Sequence, residues 1–231
     1  MLTMPAIFIG HGSPMNAIED NSFNQNWRTL TTKIPKPKTI LVVSAHWYTR
    51  GTHIMGAMLP KMIYDMYGFP HELYEVVYNA PGAPEIAHRA SQLISRETTF
   101  DNSWGYDHGA WSVLNQMFPQ ADIPVFQISV DGTASANAHF ELGQQLKPLR
   151  DEGVLILGSG NVVHNLRLVN SNMAGGYEWA GEFDAYIKES IIGKQFNKAV
   201  NYHEAVVQQG MLYKLRSTTS HCYISWVLSM N

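Results

Sequence analysis

Four of the ten histidines in the chain stand beside short apolar runs, where they could share one metal ion. They are His11, His46, His164 and His221. The first three follow strand-like runs and have glycine-containing turns nearby, which permit close backbone approach. The fourth precedes the last apolar run. Neutral imidazole is a ligand for Zn, Fe, Ni and Cu. The pattern therefore indicates a divalent metal site, although a hydrogen-bonded structural histidine is the alternative for each one taken singly.

His108 has a different setting, inside the sequence WGYDHG at 104–109. An imidazole with an ordinary pKa near ~6.5 exchanges protons at neutral pH. A glycine-flanked loop would present it to a substrate as a general acid or base. The alternative is an exposed loop histidine without a role in catalysis.

Strand-like and helix-like runs alternate along the chain, which favours a single α/β domain with a central, mostly parallel or mixed sheet flanked by helices. Apolar and β-branched runs predict strands at 6–9, 39–44, 52–58, 123–130 and 154–157. Helical patterns cover 84–94, 110–118, 136–146, 177–192 and 202–215, and a polar loop is expected at 193–201. Ligands collect at the carboxyl ends of strands in open α/β sheets. We therefore expect His11 and His46 to end neighbouring strands at one edge.

Composition excludes several classes of protein. Sixteen basic against nineteen acidic side chains give a net charge of −3 with no basic run, so a nucleic-acid partner is not expected. The single Cys222 cannot form an internal disulfide and fits a reducing compartment, the cytoplasm. No apolar stretch approaches the ~20 residues that span a bilayer, so no membrane partner is expected. We expect a monomer or a small homo-oligomer.

Several longer motifs resemble one known family. HGSPMNA at 11–17, SAHWYTRGT at 44–52, WGYDHGAW at 104–111 and SGNVVHNLR at 159–167 are similar to motifs of the 4,5-DOPA extradiol dioxygenase group of the class III (LigB-type) ring-opening dioxygenases. Segments 68–84 and 138–146 are similar as well. The resemblance runs in order from residue 5 to about residue 190.

The resemblance implies roles for individual residues. It implies metal-site positions for His11, His46 and His164, with His221 in the segment 217–221 as the match to the C-terminal ligand of the family. His108 corresponds to the acid/base residue beside the metal, and His164 is either a fourth ligand or the base. His139 matches a histidine that contacts bound catechol or dioxygen.

The implied reaction is extradiol cleavage of a catechol such as DOPA by dioxygen, giving a ring-opened semialdehyde acid. The implied metal is Fe(II) for turnover, with Zn(II) in the protein as isolated, because an all-imidazole site is zinc-like. Two alternatives remain open: a zinc-dependent hydrolase, and a zinc-binding protein without turnover.

Aromatic residues in the same motifs could wall a substrate pocket, and core packing is the alternative for each. They are Trp47, Tyr48, Phe69, Tyr74, Trp104 and Tyr106. Arg50 or Arg167 could bind a substrate carboxylate, or form an ordinary ion pair instead.

The segment from about residue 193 onward departs from the family. It lacks the prolines expected around the last ligand, and the chain ends ten residues after His221, at Asn231. We therefore expect one catalytic domain over 1–231 with a divergent, truncated or frame-shifted C-terminal segment.

Overall fold

A computed structural model describes residues 2–163, 168, 170, 173 and 175–202. The described strands are β1 Ala6–Gly10, β2 Thr39–Ser44, β3 Tyr48–Thr49, β4 Thr52–Ile54, β5 Thr98–Phe100, β6 Val125–Gln127, β7 Val130–Asp131 and β8 Val154–Gly160. The described α-helices are α1 Ser22–Thr31, α2 His71–Tyr74, α3 Pro84–Leu93, α4 His108–Met117, α5 Ala136–Leu146, α6 Glu178–Ile192 and α7 Phe196–Val200. Short 3-10 helices cover Pro14–Ala17 and Lys147–Arg150.

The central sheet confirms the predicted α/β class. Its four strands lie in the order β1-β8-β2-β6, and every pair in it is parallel. The last of the described strands in sequence, β8, lies between the first two. The expectation that His11 and His46 end neighbouring strands is therefore wrong, because β1 and β2 each pair with β8 and not with one another.

Burial of the two central strands explains their sequences. Both β2 and β8 are buried along their whole length, as expected for parallel strands covered on both faces by helices. Fully burying each Val, Leu or Ile side chain contributes about 1.5–3 kcal/mol. Both strands therefore have continuous apolar sequences instead of an alternating apolar and polar pattern.

Helix α4 brings the chain back to the carboxyl edge of the sheet. It packs against β2, β8, α1 and the 3-10 helix that follows β1. Asp107 caps its first turn by accepting a hydrogen bond from the Ala110 amide at 3.1 Å. His108 is thereby the first residue of a buried helix, with 7% of its surface exposed, and not part of the loop that the sequence predicted.

Other elements differ from the predictions in instructive ways. Helix α1 was not predicted, because its segment is polar and its start depends on a capping box between Asn21 and Asn24. Helix α7 lies where a loop was expected, since Phe196 and Ala199 pack against α6. The run at 52–58 ends as a strand at Ile54, and the run at 123–130 divides into β6 and β7. The helix predicted at 202–215 lies outside the described residues apart from Tyr202.

Within the described part of the chain, no helix is long and apolar enough to cross a membrane.

Candidate active site

Three histidines from distant parts of the chain meet at the carboxyl edge of the sheet. Each of His11, His46 and His108 offers a ring nitrogen, and these nitrogens all lie within 4.8 Å of one another. The ring centroids of His46 and His108 are 3.8 Å apart, and that of His11 lies 5.1 Å from His46 and 5.8 Å from His108. The sequence predicted a shared site for His11 and His46; the structure adds His108 to the same cluster.

A tight turn after β1 fixes the backbone of His11. Gly12 adopts a positive φ of 63°, which other residues rarely adopt. Its amide donates to the Asn161 side chain at 3.1 Å, and the Asn16 amide group donates to the His11 carbonyl at 2.9 Å. The glycine in the HGSP motif is therefore required by the turn that aims His11.

Ser159 determines which nitrogen of His11 carries the proton. The Ser159 hydroxyl donates its only hydrogen to the Gly109 carbonyl at 2.5 Å. The same oxygen lies 2.9 Å from Nδ1 of His11, so it accepts there and Nδ1 is the protonated nitrogen. Nε2 of His11 keeps its lone pair.

Asp65 faces Nδ1 of the other two rings, those of His46 and His108. One carboxylate oxygen, Oδ2, lies 3.1 Å from Nδ1 of His46, and the other, Oδ1, lies 3.0 Å from Nδ1 of His108. Oδ1 also accepts the backbone amide of His108 at 2.8 Å. A carboxylate that faces an Nδ1 atom favours a proton on that nitrogen.

The resulting arrangement calls for a cation. Nε2 of His11 and Nε2 of His46 face each other at 3.3 Å. Two lone pairs at that distance repel unless a proton or a metal ion lies between them. Two nitrogens each about 2.0–2.1 Å from one metal ion at a tetrahedral angle are about 3.4 Å apart. The donor set therefore fits a divalent metal ion, with the Nδ1 contacts orienting its ligands.

The electrostatics of the cluster agree with this geometry. Burial opposes protonation of His46, yet the carboxylates of Asp65 and Asp107 outweigh it and raise the pKa of His46. Burial likewise favours the neutral form of Asp65, but hydrogen bonds from His108 and His46 lower the pKa of that carboxyl strongly. Asp65 is a fixed negative charge beside the ligands.

Buried polar side chains lie next to His46. Ser44 donates to the fully buried carboxyl of Asp107, and burial raises the pKa of Asp107. Gly109 fits against these side chains: a Cβ there would lie 2.5 Å from the Ser44 hydroxyl and 2.8 Å from Cδ2 of His46. The glycine of the DHG motif is needed for close packing of α4 against His46.

The remaining predicted residues have varied surroundings. Trp47 and Tyr106 are 2% and 0% exposed, and Tyr106 donates to backbone carbonyls, including that of Ala80 at 3.1 Å. These two pack in the core, the alternative that the sequence left open for each, and their contact with substrate stays a prediction. His139 is 1% exposed, with Nε2 held 3.0 Å from the Asp131 carbonyl. His164, Arg167 and His221 lie outside the described residues.

A cleft of about 700 Å³ opens beside the histidine cluster. Gly10 and Gly12, the neighbours of His11, form part of its wall, together with Phe8 and Phe23. The size is in the range of small-molecule sites.

Comparison with known proteins decides the family. The family described as the catalytic LigB subunit of aromatic ring-opening dioxygenase matches residues 5–212. This chain belongs to the LigB family. The match continues past residue 190, so the family resemblance extends further than the motifs alone indicated.

The relatives of this LigB protein include named dioxygenases. A 4,5-DOPA dioxygenase extradiol of Escherichia coli (strain K12) is 48% identical over 191 residues, which is 81% of this chain and 70% of that protein. One from Beta vulgaris is 40% identical over 203 residues, covering 84% of this chain and 75% of the relative. The crystal structure of an uncharacterised Escherichia coli K12 protein superposes with a TM-score of 0.82 at 39% identity, covering 98% of this chain and 88% of that one. The LigB protein is an oxidoreductase of the extradiol ring-opening class.

Sequence reasoning missed Asp65 and Ser159 as partners of the ligands. Ser159 begins a motif that was singled out, so its place at the end of β8 was a usable signal. Asp65 lies in an irregular segment between β4 and α2, and no periodicity or spacing pointed to it.

Proposed function

We propose that this protein cleaves the ring of a small catechol, such as DOPA, beside its diol, using a divalent metal ion held by histidines. The 3.3 Å separation of the two Nε2 atoms of His11 and His46 carries the proposal, because it suits two ligands of one ion. His221 and His164 are the proposed further ligands, with His164 as a base in the alternative.

Fe(II) in this site would supply the redox chemistry that dioxygen requires, and Zn(II), which has none, is the proposed occupant after purification. The protein's own part is to orient the diol and to move its protons. An all-imidazole set of donors supports both ions.

We assign the proton transfer to His108. Its Nδ1 lies 3.0 Å from the Asp65 carboxylate, so a proton gained at Nε2 makes an imidazolium that Asp65 stabilises. The hydroxyl of a catechol bound at the metal site of His11 and His46 would lie within reach of that Nε2, because the three rings are adjacent. In this proposal His108 transfers protons, whereas His11 and His46 bind the metal ion.

The cleft beside His11 is the proposed entrance for the aromatic ring. Its wall includes the apolar faces of Phe8 and Phe23 and the amide groups of Asn16 and Asn161. A contact of His139 with bound catechol or dioxygen stays a prediction; its ring is enclosed, with Nε2 3.0 Å from the Asp131 carbonyl. The partners are thus a small aromatic diol and dioxygen, and we propose a cytoplasmic location from the single cysteine.

The experiment is metal analysis of protein grown without added metals, followed by anaerobic loading with Fe(II) and a screen of catechols. Consumption of one dioxygen per catechol, with a yellow ring-opened product, is the expected result. Cleavage of an amide or ester substrate, with no oxygen uptake from any catechol, would indicate the hydrolase instead. Stoichiometric metal with no product from any catechol would indicate a metal-binding protein without turnover.

A further inference from the structure

Asp65 touches two imidazoles at once, and these have different proposed tasks. His46 is a proposed ligand and His108 the proposed proton carrier, yet a single carboxylate faces the Nδ1 of each at 3.1 and 3.0 Å. The carboxylate side chain is 23% exposed, so it is partly shielded from water.

The surrounding structure holds Asp65 in place from both sides. The preceding residue, Tyr64, donates from its hydroxyl to the Val76 carbonyl at 2.7 Å. The Trp111 indole donates to the Ile63 carbonyl at 3.0 Å. The segment that carries Asp65 is therefore tied to α4, the helix that begins with His108.

The two oxygens of Asp65 are not equivalent. Oδ1 accepts the backbone amide of His108 at 2.8 Å, and a backbone N–H can only donate. A side-chain atom that takes the place of Oδ1 must therefore accept this hydrogen bond. Oδ2 faces Nδ1 of His46.

We propose that Asp65 is a positioning residue that fixes the tautomer of His46, and thereby makes its Nε2 a metal ligand. This inference rests on the proposed function, since it assumes that His46 binds the metal. With Oδ2 as an acceptor, Nδ1 of His46 carries the proton and Nε2 presents its lone pair to the site.

The asymmetry makes Asp65→Asn an informative change. The amide oxygen will take the Oδ1 position, because the His108 amide must be accepted there, and the NH₂ group will then face Nδ1 of His46. A donor at that position requires Nδ1 to accept, so the proton of His46 moves to Nε2 and the ligand lone pair is lost. Asp65→Ala leaves Nδ1 without either kind of partner and should disturb the tautomer less.

The first measurement is made on metal-free protein and needs no turnover. At alkaline pH, where the imidazoles are neutral, nitrogen NMR should find the proton of His46 on Nδ1 in a larger fraction of the parent than of Asp65→Asn, in which it lies on Nε2. Glu75→Gln is the matched control, because Glu75 faces Nδ1 of the exposed His71 at 3.3 Å outside the site. The control should leave His46 as in the parent.

The second measurement is the release of Zn(II) to a chelator. Asp65→Asn should bind Zn(II) about 10- to 100-fold more weakly than the parent, the usual effect of losing such a partner, and more weakly than Asp65→Ala. In a His46→Ala background the same change should have little further effect.

An Nε2 proton on His46 in the parent, or unchanged Zn(II) release in a folded Asp65→Asn variant, would overturn the proposal. Failure of catechol cleavage would count only against the proposed function, because neither measurement here depends on it. Unfolding curves of each variant exclude loss of fold as the cause.

Discussion

Nε2 of His11 and Nε2 of His46 face each other at 3.3 Å, although the strands that carry these residues are separated by β8. If one ion occupies that gap, neither ring can hold it alone. His11→Ala and His46→Ala should each abolish metal retention through purification, measured by elemental analysis. His71→Ala is the control, since that side chain is 83% exposed. Full metal occupancy in either site variant would refute the assignment of ligands.

His108 should act on protons rather than on the metal. The variant His108→Ala is expected to keep its bound metal and to lose about 10²- to 10⁴-fold in ring cleavage, as is typical of a general acid or base. Oxygen uptake and metal content measured on one preparation check both parts. Because the His108 ring lies 3.8 Å from that of His46, metal loss is the alternative outcome, and it would make His108 a ligand.

The C-terminal histidines provide a paired test. His221→Ala should release metal far faster than the parent, and His203→Ala should behave like the parent, in a chelator-exchange assay. His221 follows a Ser/Thr segment and precedes an apolar run, whereas His203 has no such setting. The reverse pattern would assign the ligand to His203.

Gly109→Ala should destabilise the protein by about 1–3 kcal/mol, the usual cost of overpacking, because the new Cβ would collide with Ser44 and His46. Urea unfolding measures the change. Gly181→Ala is the matched control: it lies in helix α6 with no atom within 4 Å of its Cβ position, and should stabilise by up to about 1 kcal/mol. Equal changes in the free energy of unfolding for the two variants would mean that Ser44 and His46 shift readily to make room for the new Cβ.

The buried His139 should make stability depend on pH. Burial lowers the pKa of His139 and outweighs the opposing hydrogen bond to the Asp131 carbonyl. Below the ordinary value of 6.5 the unfolded chain binds a proton that the folded protein refuses, so the free energy of unfolding falls as pH falls through this window. Each unit of pKa difference contributes about 1.4 kcal/mol.

His139→Gln should therefore lose less stability than the parent between neutral and mildly acidic pH, as measured by urea unfolding at each pH. His46, whose pKa is raised, is present in both proteins and cancels in the comparison. Identical pH profiles for parent and variant would show that His139 takes up its proton as readily in the folded state.

The sequence predicted the parts of the site that belong to regular elements. His11 and His46 could be placed at one edge because β1 and β2 are parallel strands whose apolar runs end just before them. Helix α5 was predicted with its observed bounds, since its apolar spacing and Ser135 cap are local signals.

What the sequence could not predict depends on contacts between distant segments. Asp65 reaches the site from an irregular segment, and no local pattern records which imidazoles it will face. The strand order was missed for the same reason: β1, β2 and β8 have similar apolar sequences, and the central place of β8 follows from packing over the whole sheet.

The central place of β8 also sets when the site can form as the chain is made. β1 and β2 pair with β8 and not with each other, so both lack their main partner until residues 154–160 have left the ribosome. At a synthesis rate of about 5–20 residues per second, the interval after β2 is on the order of ten seconds. During that time two apolar strands have unpaired edges, which are prone to aggregation. Assembly of the histidine cluster is therefore a late event in biosynthesis, and chaperones that bind exposed apolar strands have a defined interval in which to act on this chain.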